Sequence, residues 1–256
     1  MNKITKNQNL NLIISTIAAV CFWLILGLIF DFYYDLNDDV LIKDIISGVY
    51  TGTPDAHNNQ MMYPISGLLV LFYRLTPNIP WFGLFEISCF IISFIIIGFR
   101  FLNYFEKIWQ KVVFILLQAV LWLGIYLWEI TMLQYTVVSG ILCAAATVWL
   151  YTTQNSQECY RFYRNNIPAV IFAILAFNVR SEMFLLMCPF MAAVGILKWI
   201  DDYAVEYIEK QNCTYENKIL RKKAFIESTK KYLGLVIAIV LGIIITVGVD
   251  EAAYSS

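Results

Sequence analysis

The amino-acid sequence predicts an all-α protein whose helices cross a membrane several times. Apolar residues make up 60% of the 256 residues, only 14% are charged, and the mean hydropathy is +0.66. Soluble domains carry about 25% charged residues, so a chain this apolar needs lipid as part of its solvent. The apolar residues also fall into separate long runs divided by polar loops. Nucleic acid is not an expected partner, because the basic residues lack interleaved surface aromatics.

The first apolar run, Leu10–Phe30, is long enough to cross about 30 Å of hydrocarbon at about 1.5 Å per residue. Lys3 and Lys6 precede it. Because cytoplasmic flanks are enriched in Lys and Arg, we predict a multi-pass protein of the cell (plasma) membrane with a cytoplasmic N-terminus. No small-residue cleavage site follows the run, which indicates a retained signal anchor.

Seven more apolar runs follow: Met61–Leu75, Trp81–Phe99, Val112–Trp128, Tyr135–Tyr151, Ile167–Val179, Phe184–Trp199 and Leu233–Val249. Three loops are basic: 100–111, 152–166 and 198–232. If every run crossed, these loops would lie outside, against the positive-inside rule. The run Met61–Leu75 is the candidate to stay on one side, because its fifteen residues form a helix only about 22 Å long and Pro64 and Pro77 bracket it. We therefore predict about seven spans plus one short re-entrant or half-membrane segment there.

The chain is expected to form one integral-membrane domain, 1–256, with two polar inserts. The loop 31–60 carries six aspartates and one lysine and is predicted at the outer face. The insert 198–232 carries eight basic and six acidic residues and is predicted at the cytoplasmic face, either as amphipathic surface helices or as a solvated linker. The polar residues 250–256 resemble the start of another outer segment, so we expect the chain to be the N-terminal part of a longer protein.

The predicted topology also gathers ionisable residues of several segments at the outer face, beside the acidic loop. They are Glu86, Glu129, Arg180, Glu182, Asp250 and Glu251. Charges near or inside membrane segments are costly and often mark pathways or sites. Their convergence on one face is expected of a functional site.

Within the acidic loop, Asp38 and Asp39 precede an amphipathic stretch, 40–49, whose apolar spacing suits a helix on the membrane surface. A carboxylate held there can act as a general base on an acceptor hydroxyl. The alternative interpretation is a solvated acidic loop. A turn at 51–55 and then His57 lead the chain back into the membrane.

Arg180 interrupts an apolar run at its predicted outer end. A guanidinium there can bind a phosphate through paired hydrogen bonds. The alternative is a structural ion pair between Arg180 and Glu182 that closes a helical hairpin. The aspartate pair, Asp38 and Asp39, has the chemistry to hold a divalent ion, but we predict no metal site. The six cysteines are scattered without a C-x-x-C pair, which favours packing roles.

The segments 37–39, 47–57 and 80–81 resemble the first outer loop of the GT-C superfamily of integral-membrane glycosyltransferases, in an uncharacterised bacterial branch. The segments 131–136 and 179–183 are similar to the same branch. The resemblance implies that an aspartate of the first outer loop activates or orients the acceptor. It also implies a sugar donor linked to a polyprenyl phosphate, which leaves with inversion at the anomeric carbon. No other cofactor is expected.

The resemblance further implies roles for individual residues. Asp38 or Asp39 matches the catalytic acidic motif. The residues expected to bind substrate are Asp55, His57, Gln134, Tyr135, Arg180 and Glu182. Of these, Arg180 is the expected phosphate contact. Members of the superfamily usually have more spans, which agrees with the expectation of a longer protein.

The predicted function is therefore transfer of a sugar from a polyprenyl-phosphate donor to a cell-envelope acceptor, with the bilayer and the lipid-linked sugar as partners. One alternative is a transporter or flippase, although transporters favour charges near the membrane midplane and repeated halves. Another is a non-catalytic partner in envelope polysaccharide assembly, whose acidic loop binds other envelope-synthesis proteins.

Overall fold

The computed structural model describes residues 3–35, 38–58, 60–156, 158–211 and 217–255, with side chains described from 8 to 205 and from 222 to 255 within those ranges. Asn37 of the acidic motif and residues 212–216 of the basic insert lie outside the described residues.

The described elements are, in chain order, α1 (Lys3–Ile29), β1 (Tyr33–Tyr34), α2 (Asp38–Ser47), α3 (Tyr63–Leu75), α4 (Trp81–Tyr104), α5 (Ile108–Gly124), α6 (Leu127–Thr131), β2 (Met132–Leu133), α7 (Tyr135–Thr152), α8 (Cys159–Val179), α9 (Ser181–Gln211) and α10 (Asn217–Tyr254). The predicted all-α class is confirmed.

Six helices are long and apolar enough to cross a membrane: α1, α4, α7, α8, α9 and α10. Few residues in the apolar windows of α9 and α10 are buried, 6% and 11%, as expected of surfaces that contact lipid. The chain is therefore a multi-pass membrane protein. The apolar helices α3 and α5 are shorter, with 13 and 17 residues.

The bundle has two chemically different ends. At one end the Tyr34 hydroxyl, just after α1, accepts the Gly83 N–H of α4 at 3.0 Å. At the other end Asn11 of α1 donates to the Leu102 carbonyl of α4 at 3.2 Å, and Lys111 of α5 donates to Asn11 at 3.2 Å. We call the end with Tyr34 and the acidic loop the acidic end, and the end with Lys111 the basic end.

Helix α3 does not carry the chain from one end to the other. The Met62 N–H, just before α3, donates to the Asn178 carbonyl near the acidic end of α8 at 2.9 Å. Near the other terminus of α3, the Tyr73 hydroxyl accepts the Phe82 N–H at the start of α4, at 3.1 Å. Both termini of α3 therefore lie at the acidic end, as the prediction for Met61–Leu75 requires.

The remaining connections give seven passages between the ends, within the described residues. They are made by α1, α4, the α5–α6 pair, α7, α8, α9 and α10. The 17 residues of α5 and the five of α6 together lead from the basic end to β2, which lies at the acidic end. This agrees with the prediction of about seven spans and one shorter segment.

Helix α7 lies at the centre of the bundle and packs against α4, α8 and α9. Small buried residues are frequent on α7 and α8: Ser139, Cys143, Ala145, Ala146, Ala169, Ala173 and Ala176. Such residues allow membrane helices to approach closely, and the Ser139 hydroxyl donates to the Ala176 carbonyl at 2.9 Å. This contact fixes the start of α7 beside the end of α8.

The described residues of the basic insert are helical, and these helices are continuous with the spans on either side. Residues 198–211 continue α9 without a break, and residues 217–232 form the first part of α10. The Tyr232 hydroxyl donates to the Asp202 carboxylate at 2.6 Å and joins the two extensions. No proline or glycine interrupts residues 196–211, so the helix of the span continues past its apolar part.

Candidate functional site

A two-residue parallel sheet joins the acidic loop to the segment that precedes α7. Tyr33 pairs with Met132 and Tyr34 with Leu133, and the Asp35 N–H extends the ladder to the Leu133 carbonyl at 3.1 Å. This sheet was not predicted, because strands of two residues show no alternation of apolar and polar residues. It fixes the start of α2 beside the start of α7.

Asp39 is buried between α2 and α7, with only 1% of its surface exposed. Its Oδ1 accepts the N–H of Tyr135, the first residue of α7, at 2.8 Å. The first N–H groups of a helix have no partner within the helix, so the carboxylate caps α7 at the positive end of its dipole. The Gln134 amide also donates to the Asp35 carboxylate at 2.9 Å, which holds the acidic loop in the same place.

Glu86 of α4 adds a second buried carboxyl next to Asp39. Its side chain is fully buried, and neither oxygen makes a hydrogen bond of normal geometry to the described residues, although the Asp39 carboxyl lies close enough to interact with it. Burial raises the pKa of Asp39 from 3.8 to about 7. The Tyr135 N–H opposes this rise, and the negative charges of Asp35 and Asp38 add to it. Asp39 therefore exchanges its proton close to neutral pH.

Asp38 has different surroundings, because its side chain is only partly buried. Its Oδ2 lies 3.4 Å from the Tyr135 hydroxyl, and the Gln60 amide oxygen lies 3.0 Å from the same hydroxyl. The phenol has one proton, so only one of these oxygens accepts it at a time. The Arg180 guanidinium donates to this hydroxyl through Nη1. Tyr135 thus links the accessible carboxylate to the cation.

Arg180 lies in the break between α8 and α9, in an extended backbone conformation. Its guanidinium carbon is 4.7 Å from the centroid of the Tyr135 ring, and Nη1 also donates to the Thr136 hydroxyl at 2.9 Å. The exposed Glu182 carboxylate is 3.8 Å from Nε, a distance and exposure at which an ion pair contributes little. Nη2 makes no hydrogen bond to the described residues, so this nitrogen is available to an anion.

The cluster combines an accessible carboxylate, a buried carboxyl pair and a cation with an uncommitted donor. Asp38 can take a proton from a hydroxyl group within hydrogen-bond distance. Arg180 can hold a phosphate or carboxylate through charge-assisted hydrogen bonds. The Asp38 carboxylate and the Arg180 guanidinium both contact the Tyr135 hydroxyl. A substrate that carries a hydroxyl and a nearby anion therefore fits this site.

The predicted substrate-binding residues Asp55 and His57 form a second cluster. The His57 ring contacts the Asp55 carboxylate through Nδ1 at 2.7 Å and the Ala253 carbonyl of α10 through Nε2 at 3.2 Å. Hydrogen bonds from His57 lower the pKa of Asp55, and the bond to Asp55 raises the pKa of His57. Among the described residues, no hydrogen bond or ion pair joins this pair to Tyr135 or Arg180.

The predicted convergence of charges at one face is visible for several residues. Glu86 and Arg180 lie at the acidic end, and the Asp250 carboxylate accepts the Tyr63 N–H there at 2.6 Å. The contact between Glu86 and Asp39 was not predicted. The position of the Glu86 carboxyl within an apolar run was nevertheless a signal, because such charges often mark functional sites. The role of Gln60 had no signal in the sequence, because its contact depends on tertiary structure.

Among the residues that the structure describes, no group of three or more His, Cys, Asp or Glu side chains is placed to hold a metal ion. Comparison with protein families, curated proteins and solved structures finds no match to this chain. The function is therefore argued from the chemistry of the acidic end.

Proposed function

We propose that the chain is a membrane glycosyltransferase that moves a sugar from a polyprenyl-phosphate donor to a cell-envelope acceptor at the outer face of the plasma membrane. The observation that carries this proposal is the Tyr135 hydroxyl, which links the partly exposed Asp38 carboxylate to the Arg180 guanidinium. Sugar transfer from such a donor needs a base for the acceptor and a cation for the leaving phosphate. The acidic end supplies both groups.

In the proposed reaction, Asp38 accepts the proton of the acceptor hydroxyl as that oxygen attacks the anomeric carbon. The bond between the anomeric carbon and the phosphate oxygen breaks, and the phosphate leaves with the electron pair. Arg180 stabilises the charge of the departing phosphate. Attack from the side opposite the phosphate inverts the anomeric carbon. Asp39 is too buried to touch the acceptor, so it positions α2 against α7.

The test compares Asp38→Asn with Asp31→Asn in the full chain, reconstituted with a polyprenyl-phosphate hexose that is radiolabelled in the sugar. Asp31 is an exposed aspartate of the same loop, so its substitution matches the change in charge. We expect D38N to lower the transfer of the labelled sugar from the lipid donor about 100-fold or more, the usual contribution of a general base. D31N should behave like the wild type.

A second variant tests the phosphate contact independently. Arg180→Gln should raise the KM for the donor more than it lowers kcat at saturating donor, because the cation binds the phosphate before transfer as well as during it. Full transfer activity in D38N, in protein that inserts normally, would exclude the proposed mechanism.

The buried pair of Asp39 and Glu86 favours a second candidate, a proton-coupled transporter, because transporters use buried carboxyls to carry protons. This candidate predicts that vesicles containing the chain take up a solute together with protons, and that Glu86→Gln uncouples the two. A glycosyltransferase would show no such uptake. If a deletion within 31–60 abolishes complex formation while D38N has no effect, the acidic loop is a protein-binding surface instead.

A further inference from the structure

A large cleft lies at the basic end, on the opposite side of the bundle from Arg180. It has a volume of about 1050 Å³ and is lined by residues of α1, α4, α5, α7, α8 and α9 and of the loops between them. Its charged lining residues, among those described, are Arg100, Lys111, Arg164, Lys198 and Glu106. Lys198 pairs with Asp202 at 2.8 Å, so three cations and one acid determine the charge of the cleft.

Arg100 is held in the wall of this cleft by uncharged groups. Its Nε donates to the Thr152 hydroxyl at 2.8 Å, and Nη2 donates to the Thr153 hydroxyl at 2.9 Å. Its guanidinium carbon lies 4.7 Å from the centroid of the Trp149 ring. Among the described residues, Arg100 has no carboxylate partner, and its Nη1 makes no hydrogen bond. Removing a guanidinium from water in this way, without an anion to pair with it, costs free energy.

The other two cations also have neutral partners. Lys111 donates to the Asn11 amide oxygen at 3.2 Å, and the Arg164 guanidinium lies 5.8 Å from the Tyr160 ring centroid. Within the described part of the chain, neither forms an ion pair with a carboxylate. The cleft therefore holds three positive charges that have no ion-pair partner among the described residues.

We infer that this cleft binds a phosphate group, carried either by an anionic phospholipid or by a soluble phosphate ester. The planar guanidinium of Arg100 can donate through Nη1 while its other nitrogens stay fixed by the two threonines, and Lys111 supplies a second cation. Basic pockets between membrane helices suit lipid head groups, which lie at the depth where a bundle ends. This site is separate from the acidic end and does not depend on the proposed sugar transfer.

The experiment uses the purified full chain in phosphatidylcholine nanodiscs. In one arm phosphatidylglycerol is added, and its retention is counted by native mass spectrometry. In the other arm glycerol 3-phosphate is added at constant ionic strength, and the shift of the unfolding midpoint gives the affinity. Retention of the lipid alone identifies a lipid head group as the source of the phosphate, and a shift with the soluble ester alone identifies the ester.

Four variants locate the binding. Arg100→Gln and Lys111→Gln should each weaken binding roughly tenfold, the usual effect of losing one charge-assisted hydrogen bond. Arg161→Gln makes the same change in charge at the same end, outside the cleft lining, and should leave the affinity unchanged. Arg100→Lys keeps the charge but loses the planar donor set, so its affinity should lie between those of the wild type and R100Q.

If R100Q fails to fold, K111Q decides the question, because Lys111 contributes a single bond near the surface. The proposal is overturned if the wild type binds neither phosphatidylglycerol nor glycerol 3-phosphate. It is also overturned if R161Q weakens binding as much as K111Q does, since the attraction would then be a general effect of surface charge.

Discussion

Asp38 and Asp39 are neighbours in the chain, yet the first turn of α2 places their carboxyls in different surroundings. Asp39 is buried against Glu86 and caps α7, whereas Asp38 stays partly exposed near the Tyr135 hydroxyl. The sequence pattern predicted an acidic pair but did not distinguish its members. That distinction depends on Glu86 and Tyr135, which lie 47 and 96 positions after Asp39.

The raised pKa of Asp39 predicts how the stability of the fold depends on pH. Between pH 3.8 and about 7, the folded chain keeps a proton on Asp39 that the unfolded chain releases. The stabilisation that the folded state gains from this proton is fully present below pH 3.8, and it is lost as the pH rises to about 7. We expect the unfolding midpoint of the wild type to fall between pH 5 and pH 7, and Asp39→Asn to remove most of that fall.

His57 supplies the control for this experiment, because its pKa is raised as well. Its contribution is present below pH 6.5 and is lost only as the pH rises above that value through its folded-state pKa. His57→Gln should therefore change the profile above pH 6.5 and leave the fall from pH 5 to pH 6.5 intact. A wild-type profile in D39N would show that Asp39 does not titrate in this range.

At the scale of single elements, α2 ends in a turn that only glycine fits. Gly48 has a φ of +83°, and its N–H donates to the Ile45 carbonyl at 3.1 Å. A Cβ at this position would lie 2.6 Å from the Pro54 nitrogen and from the Thr53 carbonyl carbon. Gly48→Ala should therefore lower the free energy of unfolding by about 2 kcal/mol or more, from the left-handed backbone and the clash together.

Gly52 offers a matched control four residues later. Its φ is +80°, but a Cβ at this position would have no neighbouring atom within 4 Å. Gly52→Ala should cost only the left-handed conformation, about 1 kcal/mol. Unfolding of both variants in the same detergent measures the difference, and an equal loss in the two would mean that the turn moves to relieve the clash.

The elements also show which local patterns suffice for prediction. The apolar spacing after Asp39 predicted α2, and the described helix spans Asp38–Ser47. The pairing of β1 with β2 was missed, because it joins two-residue segments that lie far apart in the chain. The extensions of α9 and α10 were also missed. The charged residues indicated where each apolar span ends, but Lys, Arg and Glu form helices readily, so the helix continues past that point.

At the scale of the whole molecule, the distribution of charge predicted the topology better than the number of apolar runs did. Counting runs alone gave eight crossings, and only the basic loops indicated that one run stays at a single end. The structure agrees, because both termini of α3 make contacts at the acidic end. Which side chains meet at that end was less predictable, since contacts such as Gln60 with Tyr135 arise only when α7 and the acidic loop have packed.

The arrangement of the ends leads to a prediction about sidedness that single cysteines can test. Asn78, in the exposed connection between α3 and α4, belongs to the acidic end, whereas Glu106 and Gln154 line the cleft at the basic end. With a cytoplasmic basic end, a membrane-impermeant maleimide should label Asn78→Cys in intact cells, in a background without the native cysteines. Glu106→Cys and Gln154→Cys should react only after the membrane is opened, because the bilayer separates them from the reagent. Labelling of the two basic-end positions in intact cells, with Asn78→Cys protected, would mean either that the orientation is reversed or that α3 crosses. Labelling of all three would contradict the fold itself, because α4 separates Asn78 from Glu106 whether or not α3 crosses.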